Sequence, residues 1–320
     1  MVTLAEICAA QERLRGITVH TPLTEFKLCD CDPRRLFLKP ENQQPIGAFK
    51  LRGAYNKIAS LPPEEIRRGV ITYSSGNHAQ GVAYAARALG VKAVIVMPSN
   101  APAIKREGTF ALGAEIVTVG PGSSERQMKA EELAALHGYA IIPPYNDEQI
   151  IAGQGTMGLE ILEDLPDVEM VLAPVGGGGM LSGVATAIKL INPQIKVLGV
   201  EPELAADAQA SLRAGKIVNL PAGDVSRTSA DGLRTQSIGP INFEHMRRYV
   251  DDIVTVSEEE ILKAAKYLSA NPATVAEPSG AVAVAGFLFH ARQLPHAKVS
   301  VAIVSGGNID PKVLEELQKS

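Results

Sequence analysis

The chain has 320 residues, 46% of them apolar and 21% charged, and a formal net charge of -4. That length suits about two domains with sizeable cores, and the balance is that of a globular chain with no basic cluster for nucleic acid or an anionic membrane. The longest apolar run, AVAVAGFLF at 281 to 289, is too short to span a bilayer.

The N-terminal MVTLAEICAAQERLRG alternates apolar and charged residues like an amphipathic helix and lacks the apolar core of a secretory signal, so a cytoplasmic protein is expected. The three cysteines, Cys8, Cys29 and Cys31, are odd in number and have no histidines at metal-ligand spacing. Neither a disulfide framework nor a zinc site is expected from them. A short strand, RLFLK at 35 to 39, precedes PENQQPIGAFKLRGAYN, which places Lys50 near the start of a helix. Leu51, Ala54, Tyr55 and Ile58 make one apolar stripe of that helix, with Arg52, Asn56 and Ser60 on the opposite side. Taken alone, Lys50 reads as an ordinary surface lysine.

Runs rich in Val and Ile then recur at 70 to 75, 92 to 97, 115 to 120, 170 to 175, 196 to 201, 252 to 256 and 299 to 307. Between them lie helical patterns such as Ala79, Val82, Ala83, Ala86 and Leu181, Val184, Ala185, Ile188. Strands that are apolar throughout are buried on both faces, so the fold class is α/β, with mostly parallel twisted sheets flanked by helices. If RLFLK pairs with the later strands, residues 1–69 and 148–320 form a large domain and 70–147 an inserted, smaller, mobile one.

In such folds ligands bind beyond the carboxyl ends of the strands. Two strand-to-helix turns stand out there, Ser74-Ser75-Gly76-Asn77 and Gly176-Gly177-Gly178-Gly179. Unpaired N–H groups at a helix start attract anions, and glycine permits close approach. The glycine turn suits a phosphate, and the hydroxyl- and amide-bearing turn suits a carboxylate. Each alone equally suits tight packing or a helix cap. The glycine run has neither the dinucleotide-binding register nor the lysine of a Walker A loop. Two anion cradles and a lysine in partly apolar surroundings together match the needs of a pyridoxal phosphate enzyme acting on an amino acid.

Five ordered motifs, ENQQPIGAFKLRGA, SSGNHAQG, IAGQGTMGLEI, PVGGGGMLSG and VSGGN, make the chain resemble the fold type II pyridoxal phosphate family. The similarity is to its serine/threonine dehydratase and serine racemase branch, a two-domain fold like the tryptophan synthase β subunit. The resemblance implies that Lys50 forms a Schiff base with the cofactor, that Phe49 lies against its ring, and that Asn77 hydrogen-bonds the ring's 3'-oxygen. It further implies that Gly176, Gly177, Gly178 and Gly179 hold the phosphate and that Ser305 faces the pyridine nitrogen. Ser74, Ser75, Asn77 and His78 would surround the substrate carboxylate, with Gln80 shaping the turn. Glu201, the carbonyl of Ala205, and Asp207 would ligate Mg²⁺ or a related cation such as Ca²⁺ or Mn²⁺. A homodimer is implied as well.

Ala48 departs from the family's usual serine and leaves substrate preference open. The sequence ends at Ser320 without the C-terminal regulatory domain of biosynthetic threonine dehydratases, so feedback by isoleucine is not expected. The expected reaction is dehydration of L-threonine, L-serine or a related β-hydroxy amino acid to a 2-oxo acid and ammonia. Racemisation of serine by a Lys50/Ser75 pair and dehydration of threo-3-hydroxyaspartate are the alternatives within the family. Outside that reaction class, a non-catalytic amino acid or cofactor binder is disfavoured by the retained lysine, and a nucleotide-binding dehydrogenase by the broken fingerprint.

Overall fold

The computed structural model describes residues 1–29, 31–74, 76–101, 103–120 and 123–319; Ser75 lies outside the described residues. Its strands are β1 (Thr24–Phe26), β2 (Arg35–Pro40), β3 (Val70–Tyr73), β4 (Ala93–Pro98), β5 (Glu115–Val119), β6 (Ala140–Ile141), β7 (Met170–Pro174), β8 (Lys196–Pro202), β9 (Asp252–Val256) and β10 (Val299–Val304). Among the described residues they form a six-stranded sheet ordered β1-β2-β10-β7-β8-β9 and a four-stranded sheet ordered β5-β4-β3-β6. Among the described strands only the β1–β2 pair is antiparallel.

RLFLK does pair with the later strands, because Arg35 through Pro40 lie in parallel register with Val299 through Val304. The apolar runs of β4, β7 and β10 are buried nearly throughout, as expected where helices cover both faces of a parallel sheet. The strands β1 and β6, of three and two residues, carry too little pattern to have been expected.

Each sheet has a point where strand order reverses, between β10 and β7 in one and between β3 and β6 in the other. Crevices open at such points beyond the strand ends. The turns after β3, β6, β7 and β10 hold Ser74, Gly76 and Asn77, Pro143 to Tyr145, the four glycines, and Ser305.

The helix Lys50–Ala59 buries Leu51, Ala54, Tyr55 and Ile58 as its stripe requires, but it also buries Arg52 and Asn56, which the pattern placed on a polar face. Arg52 is fully enclosed and donates to Glu41 at 2.8 Å and to Glu160 at 2.6 Å, while Lys39 pairs with Glu160 at 2.6 Å. Two cations thus balance two anions in the core. Burial by itself raises the Glu41 carboxyl, yet Arg52 and Lys39 outweigh it and hold the group below the usual carboxylate range.

Cys29 and Cys31 form a disulfide with Cα atoms 5.3 Å apart, contrary to expectation, and Cys8 is free and exposed. Residues two apart meet within one local bend, which parity and metal-ligand spacing do not register. Among the described residues no helix is long and apolar enough to cross a membrane.

Candidate active site

Lys50 begins its helix directly after a tie to the end of β10. The Phe49 N–H donates to the Ser305 carbonyl at 3.0 Å, and Ala48 bridges Gly306. The Lys50 ammonium donates to the carbonyl of Pro144 at 2.8 Å and lies 5.0 Å from the centre of the Phe49 ring. Among the described residues no acid partners it, and burial pushes its pKa down to about 8. A neutral amine is thus accessible near physiological pH.

The helix Asn77–Leu89 follows β3 and has no capping side chain at its start. A β-carbon at Gly81 would lie 3.2 Å from the Lys50 carbonyl, which puts this helix hard against the lysine. His78 is buried and its Nε2 lies 3.0 Å from the Ile142 carbonyl. A carbonyl only accepts, so Nε2 carries the proton. Burial and the nearby Lys50 charge depress its pKa to about 3 against the opposing Ile142 bond, so the ring is neutral. Ser74 Oγ accepts from the Gly76 N–H at 3.3 Å.

The glycine turn leads from β7 into the helix Gly179–Ile191, again without a capping side chain. Gly178 has φ 94°, a left-handed conformation that side chains resist. A β-carbon at Gly177 would collide with the Tyr145 ring, so the turn is closely covered. Tyr145 follows Pro144, which links the glycine turn to the lysine. Bare backbone amides at an uncapped helix start fit a phosphate. The Ser305 hydroxyl is buried, and its 3.4 Å bond to the Ser279 carbonyl is long enough to be exchanged for a better partner.

Glu201 lies in β8, and Asp207 begins the helix Asp207–Ala214 that follows it. Glu201 accepts from the N–H groups of Ala208 at 3.0 Å and Gln209 at 2.8 Å. Both Asp207 carboxylate oxygens are buried without a well-formed hydrogen bond. Burial lifts Asp207 to about 7, only partly offset by nearby amides, and burial together with Asp207 raises Glu201 well above the carboxylate range. Such a pair suits a hard cation. Ala205, also buried, stands beside them. Among the described residues no group of three or more His, Cys, Asp or Glu side chains could hold a metal.

Sequence reasoning missed Pro144, Tyr145, Lys105, Asp231, Glu277 and Asn308. Lys105 pairs with Asp231 at 2.6 Å and Glu277 at 3.4 Å, and Glu277 in turn accepts from Asn77. The motif VSGGN already contained Asn308, but that residue type alone does not announce a role.

A buried lysine of lowered pKa, near a glycine turn that opens an uncapped helix and a second uncapped helix start, fits an enzyme that uses a phosphorylated aldehyde on amino acids. Residues 15–306 match the family described as pyridoxal-phosphate dependent enzyme, and the chain belongs to that family. It is 44% identical over 99% of its length to an L-threonine ammonia-lyase of Thermotoga maritima, covering 78% of that protein. It is 42% identical to an L-threo-3-hydroxyaspartate ammonia-lyase of Saccharomyces cerevisiae, covering 97% of this chain and 94% of that one. The solved structure of maize serine racemase superposes with a TM-score of 0.93 at 38% identity, over 98% of this chain and 96% of that one.

Proposed function

We propose that this chain is a pyridoxal phosphate-dependent dehydratase of β-hydroxy amino acids, with L-threonine, L-serine and threo-3-hydroxyaspartate as the candidate substrates. The carrying observation is the Lys50 amine, lowered to about 8 and set between Phe49 and the Pro144 carbonyl. When bound, the cofactor supplies an electron-accepting ring that stabilises charge released at the substrate's α-carbon.

Lys50 would hold the cofactor's aldehyde carbon and, once displaced by the substrate amine, take the α-proton on Nζ. Gly176 to Gly179 and the helix start behind them would hold the phosphate. Phe49 would cover one face of the ring. Ser305, a neutral hydroxyl, would face the ring nitrogen without forcing a proton onto it, which favours quick departure of the β-hydroxyl. Ser74, Asn77 and neutral His78, with Ser75, would orient the carboxylate. Loss of the hydroxyl and hydrolysis then release a 2-oxo acid and ammonia.

Glu201, Ala205 and Asp207 would take up Mg²⁺ or a similar cation, which would relieve the two buried carboxylates. Residues 70–147 would move as the smaller unit, a reading supported by a four-stranded sheet lying wholly within them. The family resemblance supports a homodimer.

Release of oxo acid from L-serine, L-threonine and the threo and erythro 3-hydroxyaspartates tests the reading, and no release from any of them would refute it. The likeness to serine racemase favours racemisation as a second activity. Replacing Ser75 by Ala separates the two: D-serine formation that survives this change removes a two-base role for Ser75.

A further inference from the structure

Both ends of the Asn77 side-chain amide are engaged, and its direction follows from a backbone group. Asn308 contacts the Ile46 carbonyl at 2.9 Å, and a carbonyl only accepts, so the contacting atom is Asn308 Nδ2. That nitrogen also lies 2.8 Å from Asn77 and 3.3 Å from Gln80 Oε1. The Asn77 atom facing it must accept and is Oδ1. Asn77 Nδ2 is thereby turned to Glu277 Oε1, which must itself accept. Of the two N–H groups on Nδ2, Glu277 takes one and the other is left to donate elsewhere.

Glu277 is only 2% exposed, and a buried carboxylate needs compensation. Burial raises its carboxyl above the ordinary range; Lys105 and the Asn77 amide oppose this and Asp231 adds to it, without reversing the direction. Lys105 is itself only 5% exposed. It comes from the helix Ala103–Ala111 that follows β4, whereas Asp231 and Glu277 come from the chain of the six-stranded sheet. A β-carbon at Gly306 would fall 2.6 Å from Glu277 Oε1 and 3.1 Å from Asn77 Nδ2, so the chain keeps glycine where the two side chains meet.

We propose that Glu277, paired with Lys105, is a positioning residue that fixes the Asn77 amide so that an N–H is presented to the ring oxygen of bound pyridoxal phosphate. The proposal rests on the reading of Lys50 and Asn77 as cofactor contacts. Glutamine at 277 must present an N–H either to Asn77 or to Lys105, both of them donors. In Glu277→Gln the network therefore cannot be satisfied at both ends.

The test uses holoenzyme of wild type, Glu277→Gln, Lys105→Met and Lys105→Arg. The ratio of the bound cofactor's visible to near-ultraviolet absorption is measured, with the cofactor Kd and a melting curve for each. That ratio falls about fivefold in Glu277→Gln, the equilibrium equivalent of one ordinary hydrogen bond. It falls in the same direction in Lys105→Met and keeps the wild-type value in Lys105→Arg. An unchanged ratio and Kd in folded Glu277→Gln overturns the proposal. Should that variant not fold, an unchanged ratio and Kd in Lys105→Met does the same. A wild type with no visible band sinks the cofactor reading itself, whereas a wild-type band with unaffected variants sinks only the role of Glu277.

Discussion

The Phe49 N–H donates to the Ser305 carbonyl at 3.0 Å, which fixes the residue before the lysine to the end of the innermost late strand. Lys50 is thereby placed by the six-stranded sheet, while the helix Asn77–Leu89, packed on its backbone, belongs to the four-stranded one. The site lies where the two meet.

The lysine's environment fixes the sign of a pH effect. The folded pKa is about 8 against an ordinary 10.5, so between those values the unfolded chain binds more protons than the folded one. Stability of the cofactor-free protein therefore gains a rising contribution from about pH 8 to about pH 10, and below about pH 8 the charged amine is a constant cost. In Lys50→Met this contribution is gone. Urea midpoints of both proteins across that window check it; parallel slopes would contradict it.

Gly177→Val drives a branched side chain into the Tyr145 ring. Tyr145 adjoins the carbonyl that receives Lys50, so displacement reaches both cradle and lysine. Cofactor affinity should fall at least about tenfold, a change of about 1.4 kcal/mol. Titration of cofactor into apoprotein measures it.

Asp207→Asn removes a buried charge that has no well-formed partner. The cation-free protein should gain about 1 kcal/mol, and the rise in melting temperature with added Mg²⁺ should disappear. Melting curves of wild type and variant with and without Mg²⁺ decide it. No response of wild type to Mg²⁺ or Ca²⁺ would remove the cation from the account.

Arg52→Met leaves Glu41 and Glu160 with Lys39 as the remaining cation of the buried set. An uncompensated buried charge costs about 3 to 5 kcal/mol. Denaturant unfolding of the variant checks that range.

The long Val- and Ile-rich runs foretold β3, β4, β5, β7, β8, β9 and β10; of these β4, β7 and β10 are buried nearly throughout, and such strands need no alternation to be visible. The pairing of RLFLK with β10 had to await the structure, since sequence carries no record of which distant strands meet. Arg52 shows the limit on a helix: periodicity assigned it to a polar face, yet acids from the turn after β2 and from the helix Glu148–Asp164 make a polar interior for it. Glu277 shows the limit at the site. Its partners Asn77 and Lys105 are 200 and 172 residues away, so nothing local marks it. The glycine and Ser/Asn turns were legible because helix starts after strands have a known use for bare amides.

Borohydride reduction of the holoenzyme, followed by digestion and mass mapping, tests the central claim most directly. The cofactor label should be found on the peptide carrying Lys50. Label on a different lysine, or no label on a protein that has taken up the cofactor, would contradict the account.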